Sequence, residues 1–337
     1  MVDDKTKAHE VSIQVDKVTK VYKQGKQTVT ALDKVSLQIH AGEIYGIIGV
    51  NGSGKTTLAK IIATLTLPDQ GRVRVQQWEV TEHPEKVKEC MGLSLGVDRS
   101  FYYRLTAEQN LEYFGTMHEI PSRLLRQRID EYLGQFDLSW AKKMHYMKFS
   151  SGMKRKLDLI RSMLPHPSIF ILDEPTNGID PHSQTHIRKV LRQLKKEQKT
   201  IMLITHNLHE ADLLCDRIGI LDQGKLVWQG SVGDFEQYKG VSRLTCETDQ
   251  HIISPKDEEK LHQAVSSYPC IRKINIHSNR SFVEVYYEHH ELNLNHVLNL
   301  IASLGLPISK INTMPPTIED IFNEFVSHQT TASASSC

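Results

Sequence analysis

Long apolar runs are missing from this 337-residue sequence. No stretch reaches the roughly 18 consecutive apolar residues that a membrane-spanning helix requires. The first ten residues, MVDDKTKAHE, contain no apolar core of the kind found in a secretory signal. We therefore expect any role at a membrane to depend on a partner protein that spans it.

Paired cysteines and a strong excess of one charge are also missing. The five cysteines form no CxxC pair, and their odd number predicts neither a disulfide framework nor a zinc site. This cysteine usage favours a reducing cytosol. The chain has 41 basic and 40 acidic residues, whereas a nucleic-acid-binding domain is typically strongly basic. We therefore predict no nucleic-acid partner.

The pattern of apolar residues predicts an α/β protein with two domains, which the length also favours. Alternating apolar residues near 11–15 and 35–39 indicate two antiparallel strands, and residues 55–65 indicate a helix. Residues from about 96 to 164 show helical periodicity. Short apolar runs typical of buried parallel strands occur at 44–49, 169–172, 201–204 and 218–221.

A second, smaller domain is predicted after residue 239. Residues 240–327 read as strand, helix, strand, strand, helix, strand, which is the element order of a ferredoxin-like α+β fold. The last ten residues, 328–337, are small and polar, and we predict a disordered tail there. The predicted domains are therefore 1–239 and 240–327.

A glycine-rich segment, GVNGSGKTT at 49–57, lies between a predicted strand and a predicted helix and matches the pattern GxxxxGK[ST]. In such a loop, backbone N–H groups and the helix N-terminus face phosphates, which disfavours the alternative of a plain glycine turn. Lys55 is expected on the β- and γ-phosphates and Thr56 on Mg²⁺. The residues predicted to contact ATP here are Gly49, Asn51, Gly52, Ser53, Gly54, Lys55, Thr56 and Thr57.

Two acids follow the apolar run at 169–172. The end of a strand in an open α/β sheet is where ligand-binding groups are presented. We predict that Asp173 is a second Mg²⁺ ligand and that Glu174 orients or deprotonates the attacking water. The alternative is a strand end with two solvated acids, which the neighbouring phosphate loop disfavours.

Residues 149–156, FSSGMKRK, precede this strand and resemble the signature motif of ATP-binding cassette (ABC) proteins, whose family form is Leu-Ser-Gly-Gly-Gln. Ser150 and Gly152 match, whereas Phe149, Ser151 and Met153 depart from it. The resemblance implies a P-loop NTPase core with an antiparallel β subdomain and a helical subdomain. It also implies that Ser150 and Gly152 bind the γ-phosphate of ATP held by a second subunit. The alternative is a helix N-cap at Ser150 or Ser151.

Further resemblances to this family follow in order across residues 11–235. The segment NGIDP at 177–181 resembles the D-loop that contacts the partner subunit, with Asp180 as its acid. His206 resembles the switch histidine, which implies a hydrogen bond to the γ-phosphate. Tyr22 fits the aromatic that stacks on adenine, although an aromatic at a strand end is also a common packing residue.

One departure concerns a Gln that the family usually carries at the entry to the helical segment, where it reaches Mg²⁺ and senses the membrane partner. In this sequence the position falls on Gly96 or Val97, neither of which can coordinate a metal. Asp98, Gln109 or the backbone must then substitute for it.

The resemblance implies that this chain is the ATP-binding and ATP-hydrolysing subunit of an ABC exporter. Such a subunit forms a dimer, here expected to be a homodimer, and binds an integral-membrane permease at the cytoplasmic face of the membrane. The C-terminal string MPPTIEDIF at 314–322 resembles the tail of drug- and antibiotic-exporting members.

Two other functions compete with export. A soluble ABC ATPase acting on ribosomes or DNA is disfavoured by the single phosphate loop and by the lack of long heptad repeats between residues 55 and 149. A regulator that binds ATP without turnover is disfavoured by Glu174 and His206.

Overall fold

A computed structural model describes residues 10–25, 27–96 and 101–231, together with four strands nearer the C-terminus. Contacts divide the chain into two units, Met1–Gly230 and Ser231–Cys337. The boundary predicted after residue 239 lies in a stretch, 232–240, that is outside the described residues. None of the helices described here is both long and apolar enough to cross a membrane.

The first unit alternates strands and helices along the chain. Its strands are β1 (Val11–Gln24), β2 (Gln27–His40), β3 (Ile44–Ile48), β4 (Gln70–Val75), β5 (Trp78–Glu79), β6 (Met91–Ser94), β7 (Ile169–Asp173), β8 (Thr200–Thr205), β9 (Arg217–Asp222) and β10 (Lys225–Ser231). Its α-helices are α1 (Lys55–Ile62), α2 (Pro84–Glu89), α3 (Ala107–Met117), α4 (Ser122–Gln135), α5 (Ser151–Met163), α6 (Pro181–Lys196) and α7 (Leu208–Leu214).

A six-stranded sheet in the order β10-β9-β3-β8-β7-β6 forms the centre of this unit. The pairs from β9 to β6 are parallel. All five residues of β3 and all six of β8 are buried, which explains their continuous apolar sequences. The predicted buried parallel sheet is confirmed. Because parallel strands share one carboxyl edge, the residues that follow β3, β7 and β8 meet there.

A second sheet, in the order β2-β1-β4-β5, is antiparallel. The predicted antiparallel pairing of the first two strands is confirmed. The inward-facing residues of this sheet join α1 and the central sheet in one hydrophobic core, which includes Ile13, Leu37, Ile61, Val73 and Ile171. This core packs α1 against both sheets.

The helical segment contains α3, α4 and α5, with two short 3-10 turns at Ser139–Ala141 and Tyr146–Lys148. Thr106 begins α3 with a capping box, in which its hydroxyl accepts from the N–H of Gln109 and the Gln109 side chain accepts from the N–H of Thr106. Ser150 begins α5, with its hydroxyl accepting a hydrogen bond from the N–H of Met153.

The second unit contains four described strands, β11 (Val241–Thr248), β12 (Ile271–His277), β13 (Phe282–Glu288) and β14 (Ile308–Met314). They form an antiparallel sheet in the order β12-β13-β11-β14. Each strand lies where the sequence predicts one. The helices predicted between them and the tail at 328–337 lie outside the described residues.

Candidate nucleotide-binding and hydrolysis site

The phosphate loop connects β3 to α1, and two of its glycines are required by close backbone contacts. A Cβ atom on Gly49 would lie 2.2 Å from the carbonyl oxygen of Leu221. Gly54 has a φ of +106°, and a Cβ there would lie 2.4 Å from the carbonyl oxygen of Ala31. Any larger side chain at either position would move the loop, so the glycine pattern has a steric origin.

The loop also has the polar features that an anion requires. Helix α1 begins at Gly54 without a side-chain cap. The helices α2 and α4 also begin without a side-chain cap, whereas Thr106, Ser150, Asp180 and Asn207 cap α3, α5, α6 and α7. The hydroxyl oxygen of Ser53 is buried and has no hydrogen-bond partner among the described residues. An uncapped helix N-terminus and an unpaired buried hydroxyl both fit the phosphates of a nucleotide.

Lys55 is directed into the loop. Its Nζ donates to the carbonyl oxygens of Gly49 and Val50, at 2.8 Å in each case. Burial lowers the pKa of Lys55, an effect that the nearby carboxylates of Glu174 and Asp173 oppose. The structure therefore places a desolvated ammonium group in the loop, close to both acids that the sequence singles out.

Thr56 and Asp173 meet at the edge of the sheet, 117 positions apart in the sequence. The Thr56 hydroxyl donates to Oδ2 of Asp173 at 2.9 Å. Burial raises the pKa of Asp173, and the hydrogen bond from Thr56 works against that rise. A hydroxyl and a carboxylate are the hard oxygen ligands that Mg²⁺ prefers, together with phosphate oxygens and water. The two residues predicted to hold the metal thus fit Mg²⁺.

Glu174 has a backbone conformation that few non-glycine residues adopt, with a φ of +51°. Its N–H donates to the carbonyl oxygen of Ile204 on β8 at 2.8 Å, which ties the end of β7 to β8. Left-handed conformations of this kind cost about 1–3 kcal/mol and occur often at functional sites.

Both carboxylate oxygens of Glu174 have partners. Oε1 lies 2.5 Å from Nδ1 of His206, and Oε2 accepts a hydrogen bond from Nδ2 of Asn177 at 2.6 Å. The His206 side chain is 50% exposed, whereas that of Glu174 is 21% exposed. The structure therefore brings Glu174 and His206 together, and it adds Asn177, whose part the sequence reasoning missed.

The signature segment forms a separate surface. Gly152 is buried, and a Cβ there would lie 3.0 Å from the Ser183 hydroxyl and 3.3 Å from Oδ2 of Asp180. Asp180 caps α6 by accepting from the N–H of Ser183 at 2.9 Å. Hydrogen bonds from Ser183 lower the pKa of Asp180. The structure thus brings the signature glycine and the D-loop acid together.

Ser150 is exposed at the start of α5, where its hydroxyl accepts at 3.2 Å from the N–H of Met153. The N-cap that the sequence offers as an alternative is therefore present. Within the ranges that the structure describes, no hydrogen bond or ion pair joins Ser150, Gly152 or Asp180 to the phosphate loop, Asp173, Glu174 or His206. Among the described residues, the polar link between the D-loop segment and the hydrolytic acids is made by Asn177, which donates to Glu174.

Tyr22 lies on β1 opposite Val29 of β2 and is 37% exposed. Ala31, two residues beyond Val29, is the residue whose carbonyl oxygen packs against Gly54. Tyr22 therefore lies on the strand pair that leads to the phosphate loop. Its stacking on adenine stays a prediction.

The position of the missing Gln is described in part. Gly96 is exposed with a φ of +116°, while Val97 and Asp98 are outside the described residues. The side chain of Gln109 belongs to the capping box of α3, where its amide oxygen accepts from Thr106 at 2.9 Å. Gln109 thus has a local structural role, and the substitution of Asp98, Gln109 or the backbone for the family Gln stays a prediction.

A phosphate loop at the carboxyl edge of a parallel sheet, next to an Asp-Glu pair, defines a P-loop nucleoside triphosphatase. The family model described as ABC transporter matches residues 32–177. The chain is 31% identical to the daunorubicin resistance ATP-binding protein DrrA3 of Streptomyces coeruleorubidus over 313 residues. The aligned region covers 93% of this chain and 95% of that protein. The chain belongs to the ABC transporter family. It is an ATPase that uses ATP and Mg²⁺.

Two further comparisons differ in how much of the chain they cover. The linearmycin resistance ATP-binding protein LnrL of Bacillus subtilis (strain 168) is 28% identical, over 92% of this chain and 96% of that protein. A solved dimeric ATP-binding cassette in a post-hydrolysis state, bound to ADP and phosphate, is 26% identical with a TM-score of 0.60. It covers 65% of this chain and 98% of that one.

Proposed function

We propose that this chain is the ATP-hydrolysing subunit of a drug-exporting ABC transporter. It forms a homodimer and binds a separate integral-membrane permease at the cytoplasmic face of the membrane. The observation that carries the proposal is the extent of similarity to DrrA3, which covers 93% of this chain and so includes most of the second unit. The solved cassette covers 65% of the chain. The chain therefore resembles the resistance proteins over a greater length than it resembles a cassette alone.

The contacts around the phosphate loop support a role for each residue in hydrolysis. Lys55 and the loop N–H groups hold the phosphates, and Thr56 and Asp173 hold Mg²⁺, which neutralises phosphate charge when it is bound. Glu174 accepts a proton from the attacking water or orients it, and His206 hydrogen-bonds the γ-phosphate. These groups all belong to one chain.

The second surface completes the site from a partner copy. Ser150, Gly152 and Asp180 face the γ-phosphate of the ATP bound to the opposite subunit. The exposure of Ser150 at the N-terminus of α5 supports this role, because the positive end of the helix dipole favours an anion there. A symmetric dimer then contains two such sites.

A cluster of exposed aromatic residues supports the permease partner. Tyr102, Tyr103 and Tyr113 are 49%, 50% and 40% exposed, and the first two follow the position of the family Gln in the sequence. Tyr102 and Tyr113 pack edge to face with ring centres 4.9 Å apart. The Lys154 ammonium, on α5, lies 5.6 Å from the Tyr103 ring centre. Exposed aromatic clusters are typical of protein interfaces, so the permease contacts this face.

The second unit is proposed to have a ferredoxin-like fold. Its first strand, β11, lies between the third, β13, and the fourth, β14, while the second, β12, lies at an edge. All the pairs are antiparallel. This order is the one expected of a split β-α-β unit.

The proposal is tested with Glu174→Gln, which keeps the shape of the side chain but cannot accept the proton. With saturating Mg-ATP, we expect this variant to elute as a stable dimer in gel filtration and to hydrolyse ATP at least about a hundredfold more slowly than wild type. Purified from detergent-solubilised membranes, the tagged variant should carry an integral-membrane protein with it.

The matched control is Glu85→Gln, which changes an exposed acid on α2 whose partner is Lys88. It should behave as wild type. A Glu174→Gln variant that stays monomeric in Mg-ATP, or that hydrolyses ATP at the wild-type rate, would contradict the proposed site. If the tagged variant is purified from the membrane extract without an integral-membrane protein, the proposed permease partner is contradicted.

A further inference from the structure

Glu210, on α7, is a fully buried carboxylate that the reaction proposed above does not use. A buried charge is costly unless it is well hydrogen-bonded, so its partners indicate what it is for. Oε1 accepts from the hydroxyl of Thr176 at 2.6 Å, and Oε2 accepts from the hydroxyl of Thr205 at 3.0 Å. The guanidinium Nε of Arg188 lies 3.8 Å from Oε1.

The two threonines belong to the loops that carry the hydrolytic residues. Thr176 lies three residues after the end of β7, and Thr205 is the last residue of β8. They are only 3% and 2% exposed, so water does not compete for their hydroxyl groups. Glu210 therefore connects the ends of two neighbouring parallel strands through a pair of hydrogen bonds.

Glu210 is also connected to the loop after β8 through Asn207. The hydroxyl of Thr205 accepts from the N–H of Asn207 at 3.0 Å, and the side chain of Asn207 accepts from the N–H of Glu210 at 3.1 Å. This closed ring of contacts fixes the residue between Thr205 and Asn207, which is His206. A displacement of Glu210 would thus be transmitted directly to the histidine.

Two carboxylates therefore connect the same two loops at neighbouring positions. Glu210 joins Thr176 to Thr205, and Glu174 joins Asn177 to His206. Asn177 directly follows Thr176, and His206 directly follows Thr205. The separation that Glu210 imposes on the threonines is therefore passed to the two groups that hold the Glu174 carboxylate.

We infer that Glu210 is a positioning residue for ATP hydrolysis, which orients the Glu174 carboxylate by fixing Asn177 and His206 on either side of it. This inference rests on the roles proposed for Glu174 and His206. It predicts a selective effect, because the phosphate loop makes no part of this network. Disturbing the bridge should slow the chemical step and leave nucleotide binding intact.

The sharpest test is Thr176→Val in the full chain, which keeps the shape of the side chain and removes one hydroxyl from Glu210. A shift of about 1 Å in a catalytic group can cost on the order of a hundredfold in rate. We expect kcat to fall by at least about tenfold, with KM for ATP and the affinity for a fluorescent nucleotide unchanged. Thr176→Ser, which restores the hydroxyl, should recover most of the rate.

The matched control is Thr185→Val, at an exposed position on α6 where the hydroxyl donates only to the carbonyl oxygen of Pro181. It should leave kcat and KM unchanged. Glu210→Gln provides a second variant for the case in which Thr176→Val does not fold. It replaces one acceptor oxygen by an amide NH2 group and removes the negative charge, so it weakens the bridge between the two threonines and should show the same selective loss of kcat.

A double-variant cycle separates this inference from the proposed site. If Glu210 acts through Glu174, Thr176→Val should cause much less loss in a Glu174→Gln background than in wild type, because coupled residues are not additive. A wild-type kcat in Thr176→Val, equal losses in both backgrounds, or a loss confined to KM would overturn the inference. A Glu174→Gln variant with wild-type turnover would instead overturn the site on which it rests.

Discussion

The two surfaces assigned to ATP differ in how complete they are within one chain. At the phosphate loop, functional groups bond to one another across long sequence distances, as Thr56 does to Asp173 and His206 to Glu174. On the signature surface, the hydroxyl of Ser150 and the carboxylate of Asp180 each accept from the N–H three residues ahead and cap a helix. The fold brings the functional groups of the first surface into contact with one another, whereas those of the second surface make only local helix-capping contacts.

This difference indicates where each surface finds its missing partner. The groups proposed for Mg²⁺ and for the attacking water already lie beside the phosphate loop, so what it lacks within one chain is the nucleotide and the partner's contacts to the γ-phosphate. The signature surface has a helix N-terminus and an exposed hydroxyl at Ser150. In the proposed dimer it acts on the ATP that a second chain presents to it. Variants of the phosphate loop should therefore lose nucleotide binding, whereas variants of the signature surface should lose dimer formation.

Lys55→Ala should have the largest effect, because it removes the only ammonium group that the described residues place inside the loop. We expect ATP affinity and hydrolysis each to fall by at least about a hundredfold, since charged groups at such sites are worth several kcal/mol. Equilibrium binding of a fluorescent nucleotide and phosphate release measure the two effects.

The control for this change is Lys60→Ala, an exposed lysine in the last turn of the same helix. It alters the charge of α1 without touching the loop and should leave both measurements at wild-type values. Unchanged ATP binding in Lys55→Ala would remove the basis for the whole site.

Ser150→Asp should impair dimer formation and hydrolysis but not nucleotide binding. Aspartate caps a helix as well as serine does, so the melting temperature should stay close to that of wild type. Its negative charge would face the γ-phosphate of the partner's ATP, and like charges at such distances repel strongly. We expect normal nucleotide binding by the monomer, no dimer in Mg-ATP, and hydrolysis at least about tenfold slower.

Ser150→Asn is the companion variant, because it caps α5 without adding charge. It should retain most of the dimer formation and hydrolysis that Ser150→Asp loses. If Ser150→Asp dimerises and hydrolyses ATP as wild type does, the signature surface does not face a phosphate.

The sequence predicts the central sheet well because its buried parallel strands are continuous apolar runs. The strand β4 is less visible, since it begins with three exposed residues and shows alternation only at its end. The four residues of β6 are too few for a periodic signal, and their place depends on pairing with β7. The helix predicted at 55–65 ends at Ile62, because Thr64 adopts a left-handed conformation with a φ of +60°.

In the site, too, some residues can be predicted from local sequence patterns, whereas others become apparent only from the structure. The phosphate loop, Asp173, Glu174 and His206 follow strand ends, so local patterns suffice to predict their meeting at one edge of the sheet. The contact of Asn177 with Glu174, three residues before it, depends on the conformation of the loop, which the residue types alone do not specify. The contact of Thr176 with Glu210 joins residues 34 positions apart, and no local pattern encodes it. Similarly, Gln109 is a candidate metal ligand by sequence, whereas the structure places its side chain in a helix cap.

The most direct test of the divided site is to mix Lys55→Ala and Ser150→Asp subunits, each of which is strongly impaired alone. In a mixed dimer, the intact loop of one subunit meets the intact signature surface of the other at one of the two sites. Hydrolysis by the equimolar mixture should therefore exceed that of either variant, and it should reach roughly a quarter of the wild-type rate where subunits pair at random and the sites act independently. A mixture no more active than its separate components would contradict a site built from two chains.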